Sequence, residues 1–170
     1  MVPDYERARD FAIRYLGYAP RSRKQVRDRL VAKEFSPEAI DGVMCLLAEK
    51  GYIDDVAFAQ NYISHKTRIS NYGRRRIVVG LLQKGVRKED IQAAYNAILE
   101  RDGEDMTKDT EIEAARRALF KWLARKGNRE NYEKIKDDPK EYQRLAAFLM
   151  RRGFSYDIIK KAMQSEDASL

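Results

Sequence analysis

The sequence predicts an all-α chain of three tandem three-helix repeats forming an elongated, curved helical array, and three observations predict it. The first is a pattern that recurs: a leucine-bearing helix end, a basic residue, a tight turn and a second amphipathic helix. It reads Leu30-Val31-Ala32-Lys33-Glu34-Phe35-Ser36, then Leu81-Leu82-Gln83-Lys84-Gly85-Val86-Arg87, then Leu149-Met150-Arg151-Arg152-Gly153-Phe154-Ser155. A shift of 51 residues lays Val26 on Ile77, Leu30 on Leu81, Phe35 on Val86, Ile40 on Ile91, Met44 on Tyr95 and Leu47 on Ile98. A shift of 119 lays Val26 on Leu145, Leu30 on Leu149, Phe35 on Phe154 and Ile40 on Ile159. Self-similarity at a fixed offset marks copies of one supersecondary unit. A 34-residue helical repeat, suggested by the spacing of Gly17, Gly51 and Gly85, fails because it sets Val26 on Gln60 and Leu16 on Lys50.

The second observation is apolar spacing at the helical period nearly everywhere, with no strand-like alternation of useful length. Ala8, Phe11, Ala12, Tyr15 and Leu16 make one stripe; Ile40, Val43, Met44 and Leu47 make another. Ala115, Leu119, Trp122 and Leu123 follow, and then Ile159, Ala162 and Met163. The third observation is punctuation. Ser22-x-x-Gln25 and Thr110-x-x-Glu113 read as capping boxes, and Ser36-Pro37 and Asp138-Pro139 each set a cap before a proline. Gly17, Gly51, Gly85, Gly127 and Gly153 fall where helices are expected to end. The repeats then span 1–53, 54–105 and 106–170, with Arg101–Asp105 as a polar joint and Asn128–Asp138 as an extended connection inside the third.

Composition narrows the function. Charged residues make up 36% of the chain and apolar ones 44%, which suits slender helical modules that still have packed cores. No apolar run reaches the length of a membrane span and no signal peptide opens the chain, so a cytoplasmic protein is expected. The net charge of +7 is unevenly placed. Residues 1–55 are neutral, whereas 56–100 hold eight Lys/Arg against three Asp/Glu, and 101–170 hold sixteen against fourteen. A positive field centred on the middle of the chain suits a polyanion or an acidic protein surface.

No catalytic constellation, cofactor motif or metal-ligand set is found. His65, the sole histidine, has no partner at ligand spacing and reads as a surface or half-buried helical residue. The lone cysteine, Cys45, lies between Met44 and Leu46 and reads as core filler. Gly80-Leu81-Leu82-Gln83-Lys84-Gly85 superficially matches a phosphate loop, but Val86 and Arg87 follow where Lys and Ser/Thr are required. Asp54 and Asp55 precede an apolar helix start and read as a cap. The candidate partner- or DNA-binding residues are instead basic. Arg74, Arg75 and Arg76 oppose a helix dipole at a helix start, a local disadvantage that a negatively charged partner offsets. Tyr72 beside them offers a stacking face, and Lys84 adds charge in the second turn. Arg117, Lys121 and Arg125 recur every four residues as a basic stripe, Trp122 reads as core, and Arg151 and Arg152 add charge near the carboxyl end.

Four segments in this order are similar to the RecX family of bacterial recombination regulators. They are Pro20-Arg21-Ser22, Gly51-Tyr52-Ile53-Asp54-Asp55-Val56-Ala57-Phe58-Ala59, Tyr72-Gly73-Arg74-Arg75-Arg76-Ile77 with Leu82-Gln83-Lys84-Gly85-Val86, and Leu149 to Ile159. Two positions depart from the family pattern: Lys33-Glu34 stands where a lysine–glycine pair is usual, and Gly80 where a glutamate is usual. The resemblance implies a non-enzymatic monomer, without cofactor, that binds the filament of the RecA recombinase on DNA. It implies inhibition of the filament's ATPase and strand exchange, with effects on recombination, DNA repair and the SOS response. The residues alone leave open a helix-turn-helix-like protein that binds DNA without a recombinase, and a helical adaptor for an unrelated acidic partner.

Overall fold

The structure, a computed structural model, describes residues 3–125 and 138–164. Among the described residues there are nine helices and no strand. They are α1 (Asp4–Tyr18), α2 (Arg23–Val31), α3 (Pro37–Glu49), α4 (Asp55–Arg68) and α5 (Arg74–Gln83), followed by α6 (Lys88–Asp102), α7 (Glu104–Arg125), α8 (Pro139–Arg151) and α9 (Tyr156–Gln164).

The predicted helix starts are local chemistry made visible. Ser22 Oγ accepts the Gln25 N–H at 3.2 Å while Gln25 Oε1 accepts the Ser22 N–H at 3.1 Å, closing the capping box of α2. Ser36 caps α3 through the Ala39 N–H, and Pro37 fills a first-turn position where its missing donor is harmless. Asp138 does the same for α8, accepting the Lys140 and Glu141 amides. Asp54 Oδ1 accepts the Val56 and Ala57 amides and so starts α4, while Asp55 Oδ1 accepts the Arg23 N–H at 2.8 Å at the start of α2.

The offset equivalences describe burial well. Val26, Leu30, Ile40 and Leu47 are buried, and so are their partners Ile77, Leu81, Ile91 and Ile98; in the third copy Leu145, Leu149 and Ile159, the partners of the first three, are buried too. In α1–α3 one core gathers Ala8, Ala12, Val26, Leu30, Val43 and Leu47, with Phe11 and Phe35 packed against it. In α7–α9 another gathers Ala115, Leu119, Leu123, Leu145, Leu149 and Phe154, with Trp122 and Phe148 on its margin.

Four expectations need correction. Thr110 is no cap: it lies inside α7, and its hydroxyl donates to the Met106 carbonyl. The polar joint shrinks to Gly103, whose φ of +80° turns the chain so that α7 begins at once with Glu104 and Asp105 in its first turn. Cys45 is exposed and hydrogen-bonds Glu49, because Ile40, Val43, Met44 and Leu47 define the buried face of α3 and position 45 falls outside that arc. Gly17 does not end its helix; α1 runs on to Tyr18 and stops where Ala19 turns extended. Gly127 and the connection from Asn128 up to Asp138 lie outside the described residues.

Two compact units divide the chain: Met1–Asn61 with Gly80–Asn96, and Tyr62–Val79 with Ala97–Leu170. Each contains the same docking contact, displaced by one repeat. In the first unit the Ser22 hydroxyl donates to the Lys84 carbonyl, and the Lys24 side chain lies so close that a Cβ on Gly85 would meet its Cδ at 2.2 Å. In the second, the Gly73 N–H donates to the Arg152 carbonyl at 2.9 Å, and a Cβ on Gly153 would meet the Arg76 nitrogen at 2.4 Å. Ser22 and Gly73 are one repeat apart, as are Gly85 and Gly153 from the same turn in successive copies. The start of one repeat's middle helix thus seats on the next repeat's turn. The corresponding turn of the first repeat carries Glu34, exposed at a φ of 60°, in place of glycine.

These contacts set stability differences that chemical denaturation can read. Gly153→Ala is expected to cost about 3 kcal/mol, since both the positive φ and the Arg76 backbone oppose a methyl group. Gly103→Ala, at a similar φ with nothing near its Cβ, is expected to cost only about 1 kcal/mol. Glu34→Gly is expected to gain about 0.5 kcal/mol, because relief of left-handed strain outweighs the added freedom of the unfolded chain.

Candidate functional site

The segment 70–76 is the most constrained stretch of the second unit. Asn71 is 1% exposed with a φ of 52°, and its Oδ1 accepts the Arg117 Nε–H at 3.0 Å. Gly73 is pressed against the backbone of Gly153 and Phe154, where an added Cβ would come within 2.4 Å of both. The first amides of α5 are satisfied from outside the helix. Arg74 N–H donates to Glu111 Oε1 at 3.1 Å, and Arg75 N–H donates to the Gly153 carbonyl at 3.1 Å. The carboxylate of Glu111 therefore offsets the dipole that three arginines oppose.

Tyr72 is half-buried at the centre of a cationic cluster. The Arg76 guanidinium lies 4.4 Å from its ring centroid, the Arg152 guanidinium 5.2 Å and the Lys66 ammonium 5.9 Å. Arg152 also lies 5.3 Å from the Phe148 ring, and Lys66 5.4 Å from the Tyr62 ring. Ring faces are negative, so they hold cations that would otherwise repel one another. Arg152 is further fixed by donating Nη1 to the Ser70 carbonyl at 2.8 Å and the Asn71 carbonyl at 2.9 Å. Burial pulls the Arg152 guanidinium below its ordinary range; Tyr72 opposes that, and the neighbouring Arg76 and Arg125 reinforce it. Burial likewise pushes the Tyr62 hydroxyl up. Among the described residues, no carboxylate pairs with Lys66, Arg76, Arg125 or Arg152. Among the described residues the cluster is a preassembled positive site without a counter-charge.

The sequence candidates separate accordingly. Tyr72, Arg76, Arg125 and Arg152 share this cluster. Arg74 and Arg75, one to two residues away and so rotated around α5, line a different cleft of about 820 Å³ together with residues of α7 and α9. Arg117 leaves the expected basic stripe: its guanidinium braces Asn71 and pairs with Glu113 at 3.4 Å. Lys121 is exposed, as is Arg151, whose carbonyl accepts from Arg76 Nη1 at 3.3 Å. Lys84 belongs to the first unit, where its carbonyl receives Ser22. Lys66 joins the cluster although nothing in the linear pattern singled it out; its spacing of four from Tyr62 on one helix was the available signal. His65 is exposed, and no group of acidic, cysteine or histidine residues among those described could hold a metal. No helix among them is long and apolar enough to cross a membrane.

Comparison with known proteins accounts for this architecture. Residues 8–45, 54–94 and 109–163 match the family models for the RecX first, second and third three-helix domains. The Regulatory protein RecX of Finegoldia magna is 30% identical over 164 residues, spanning 94% of this chain and 72% of that protein. The Regulatory protein RecX of Caldanaerobacter subterraneus is 31% identical over 156 residues, spanning 92% and 68%. The crystal structure of RecX from Lactobacillus salivarius superposes with a TM-score of 0.76 over 96% of this chain and 97% of that one, at 23% identity, which speaks to the fold. With each of its helix triplets matched in order, this chain belongs to the RecX family, whose curated members are named regulatory proteins.

Proposed function

We propose that this chain is a regulator that docks on the RecA–DNA filament and restrains its ATPase and strand exchange. Family membership supports the regulatory role, and the Tyr72-centred cluster carries the proposal for how docking occurs. An anion entering that cluster meets cations held in place by ring faces and backbone carbonyls, so little side-chain entropy is lost on binding. Guanidinium groups also fork onto phosphate or carboxylate oxygens, which adds direction to the attraction. Filament phosphates provide such anions at regular spacing. A docked chain would then resist the rearrangements that accompany ATP turnover in the protomers it touches.

The deciding experiment is RecA ATPase on single-stranded DNA with increasing amounts of this protein. A dose-dependent fall supports the proposal, and an unchanged rate at saturation removes it. A general DNA-binding protein would instead bind bare DNA as tightly as the filament, with affinity dropping steeply as salt rises.

Two variants separate docking from folding. Lys66→Glu combined with Arg125→Glu is expected to weaken inhibition about tenfold or more with little change in melting temperature, because both side chains reach the surface. Arg152→Met is expected to destabilise the protein by about 2–3 kcal/mol, since the Ser70 and Asn71 carbonyls lose a charged donor. Thermal melts and ATPase titrations on the same preparations check both.

A further inference from the structure

We infer that the cleft lined by α5, α7 and α9 receives an extended acidic segment of a partner protein, anchored by one apolar side chain. This rests on the reading that the chain acts on a protein partner, and it assigns Arg74 and Arg75 to that partner while leaving phosphate to the Tyr72 cluster.

The charges of the cleft carry the inference. Among its cations, α5 contributes Arg74 and Arg75, and α9 contributes Lys160 and Lys161. Three carboxylates are present as well, and two are already engaged: Glu104 pairs with Lys108, and Glu111 accepts the Arg74 amide. The third, Asp157, sits in the first turn of α9, where it complements the dipole. Arg75, Lys160 and Lys161 are exposed and pair with no carboxylate among the described residues. The floor is apolar: Leu99 is 42% exposed, and Ile158 lies beneath at 8%. A soluble protein leaves a leucine in a charged cleft at the cost of its hydration, and an incoming apolar side chain recovers that.

The mixture of signs selects the ligand. A DNA backbone carries a negative charge at every step and no hydrogen-bond donor, so it offers nothing to Glu104, Glu111 and Asp157. A peptide brings carboxylates for Arg75, Lys160 and Lys161, and also N–H groups that the cleft's own carboxylates can accept. At about 820 Å³ the space holds a few residues of extended chain, each advancing about 3.3 Å. The Tyr72 cluster, which contains no carboxylate, has the opposite character and suits phosphate.

Nuclear magnetic resonance of the full, isotope-labelled chain tests this with two probes. One is a synthetic peptide of alternating Asp and Glu around a central Leu; the other is a short oligothymidylate. The peptide is expected to shift the Lys108, Ser155 and Lys161 amides and the Leu99 methyls, and its affinity is expected to fall about tenfold or more in the Arg75→Glu, Lys161→Glu double variant. The oligothymidylate is expected to perturb Tyr72 and Arg152 and to bind that variant nearly as well as the parent. Peptide binding unaffected by the double variant, no binding at millimolar peptide, or oligothymidylate acting on the cleft amides would each overturn the inference. Since no recombinase is present, a failure here is distinguishable from an unchanged RecA ATPase, which would remove the proposed regulation instead.

Discussion

The structure depends on close approach to the backbone of two turns. At Gly85 and at Gly153 the incoming start of a helix comes nearer than any side chain allows, and the turn's own left-handed φ already disfavours a Cβ. The same residue therefore ends one helix and admits the neighbour that seats the previous repeat. A short three-helix unit buries little surface alone, so seating on a neighbour supplies what its own core cannot. Satisfying the Ser22 hydroxyl and the Gly73 amide with carbonyls of the receiving turn fixes where that seating occurs. In the first repeat the equivalent turn bears Glu34 at a φ of 60°, so a Cβ stands where the other two turns have none.

The second of these docking contacts also carries the surface proposed for docking. Seating Gly73 on Arg152 and Gly153 brings the α5 arginines against the end of α8, which is how Arg76 and Arg152 come to share one tyrosine ring. Architecture and charge are consequently inseparable here: the Arg152 guanidinium proposed to meet a partner also ties down the 70–71 backbone. Like charges gathered this way repel in isolation, and the ring faces and carbonyls hold them together. Rotation around α5 then sends Arg74 and Arg75 to a cleft of mixed sign while Arg76 stays with the purely cationic cluster. One short run of arginines thus reaches two chemically distinct surfaces.

Much of this was legible in the linear sequence, for physical reasons that also explain the gaps. The 51-residue offset found the buried positions because core residues must repeat when the packing repeats. Caps at Ser22, Ser36 and Asp138 were legible because their partners lie within three residues along the chain. Thr110 carried the same signature but lost to Gly103, whose turn started α7 earlier. Cys45 misled because apolar neighbours in sequence point in different directions on a helix. The site was visible only as a concentration of charge. Which cations stay available depends on contacts between residues 46 to 82 positions apart, such as Arg117 with Asn71 and Arg152 with Ser70, and no local pattern encodes those. Lys66 escaped notice although its spacing of four from Tyr62 set the two on one helix face.

The most direct test of the central claim is lysine- and arginine-selective chemical footprinting of the intact chain, alone and with RecA assembled on single-stranded DNA. If the tyrosine-centred cations meet the filament, modification of Lys66, Arg76 and Arg125 slows on mixing, whereas Arg27, paired with Asp41 in the first unit, reacts at its original rate. Unchanged reactivity at those three positions, with protection confined to other cations, would contradict the account.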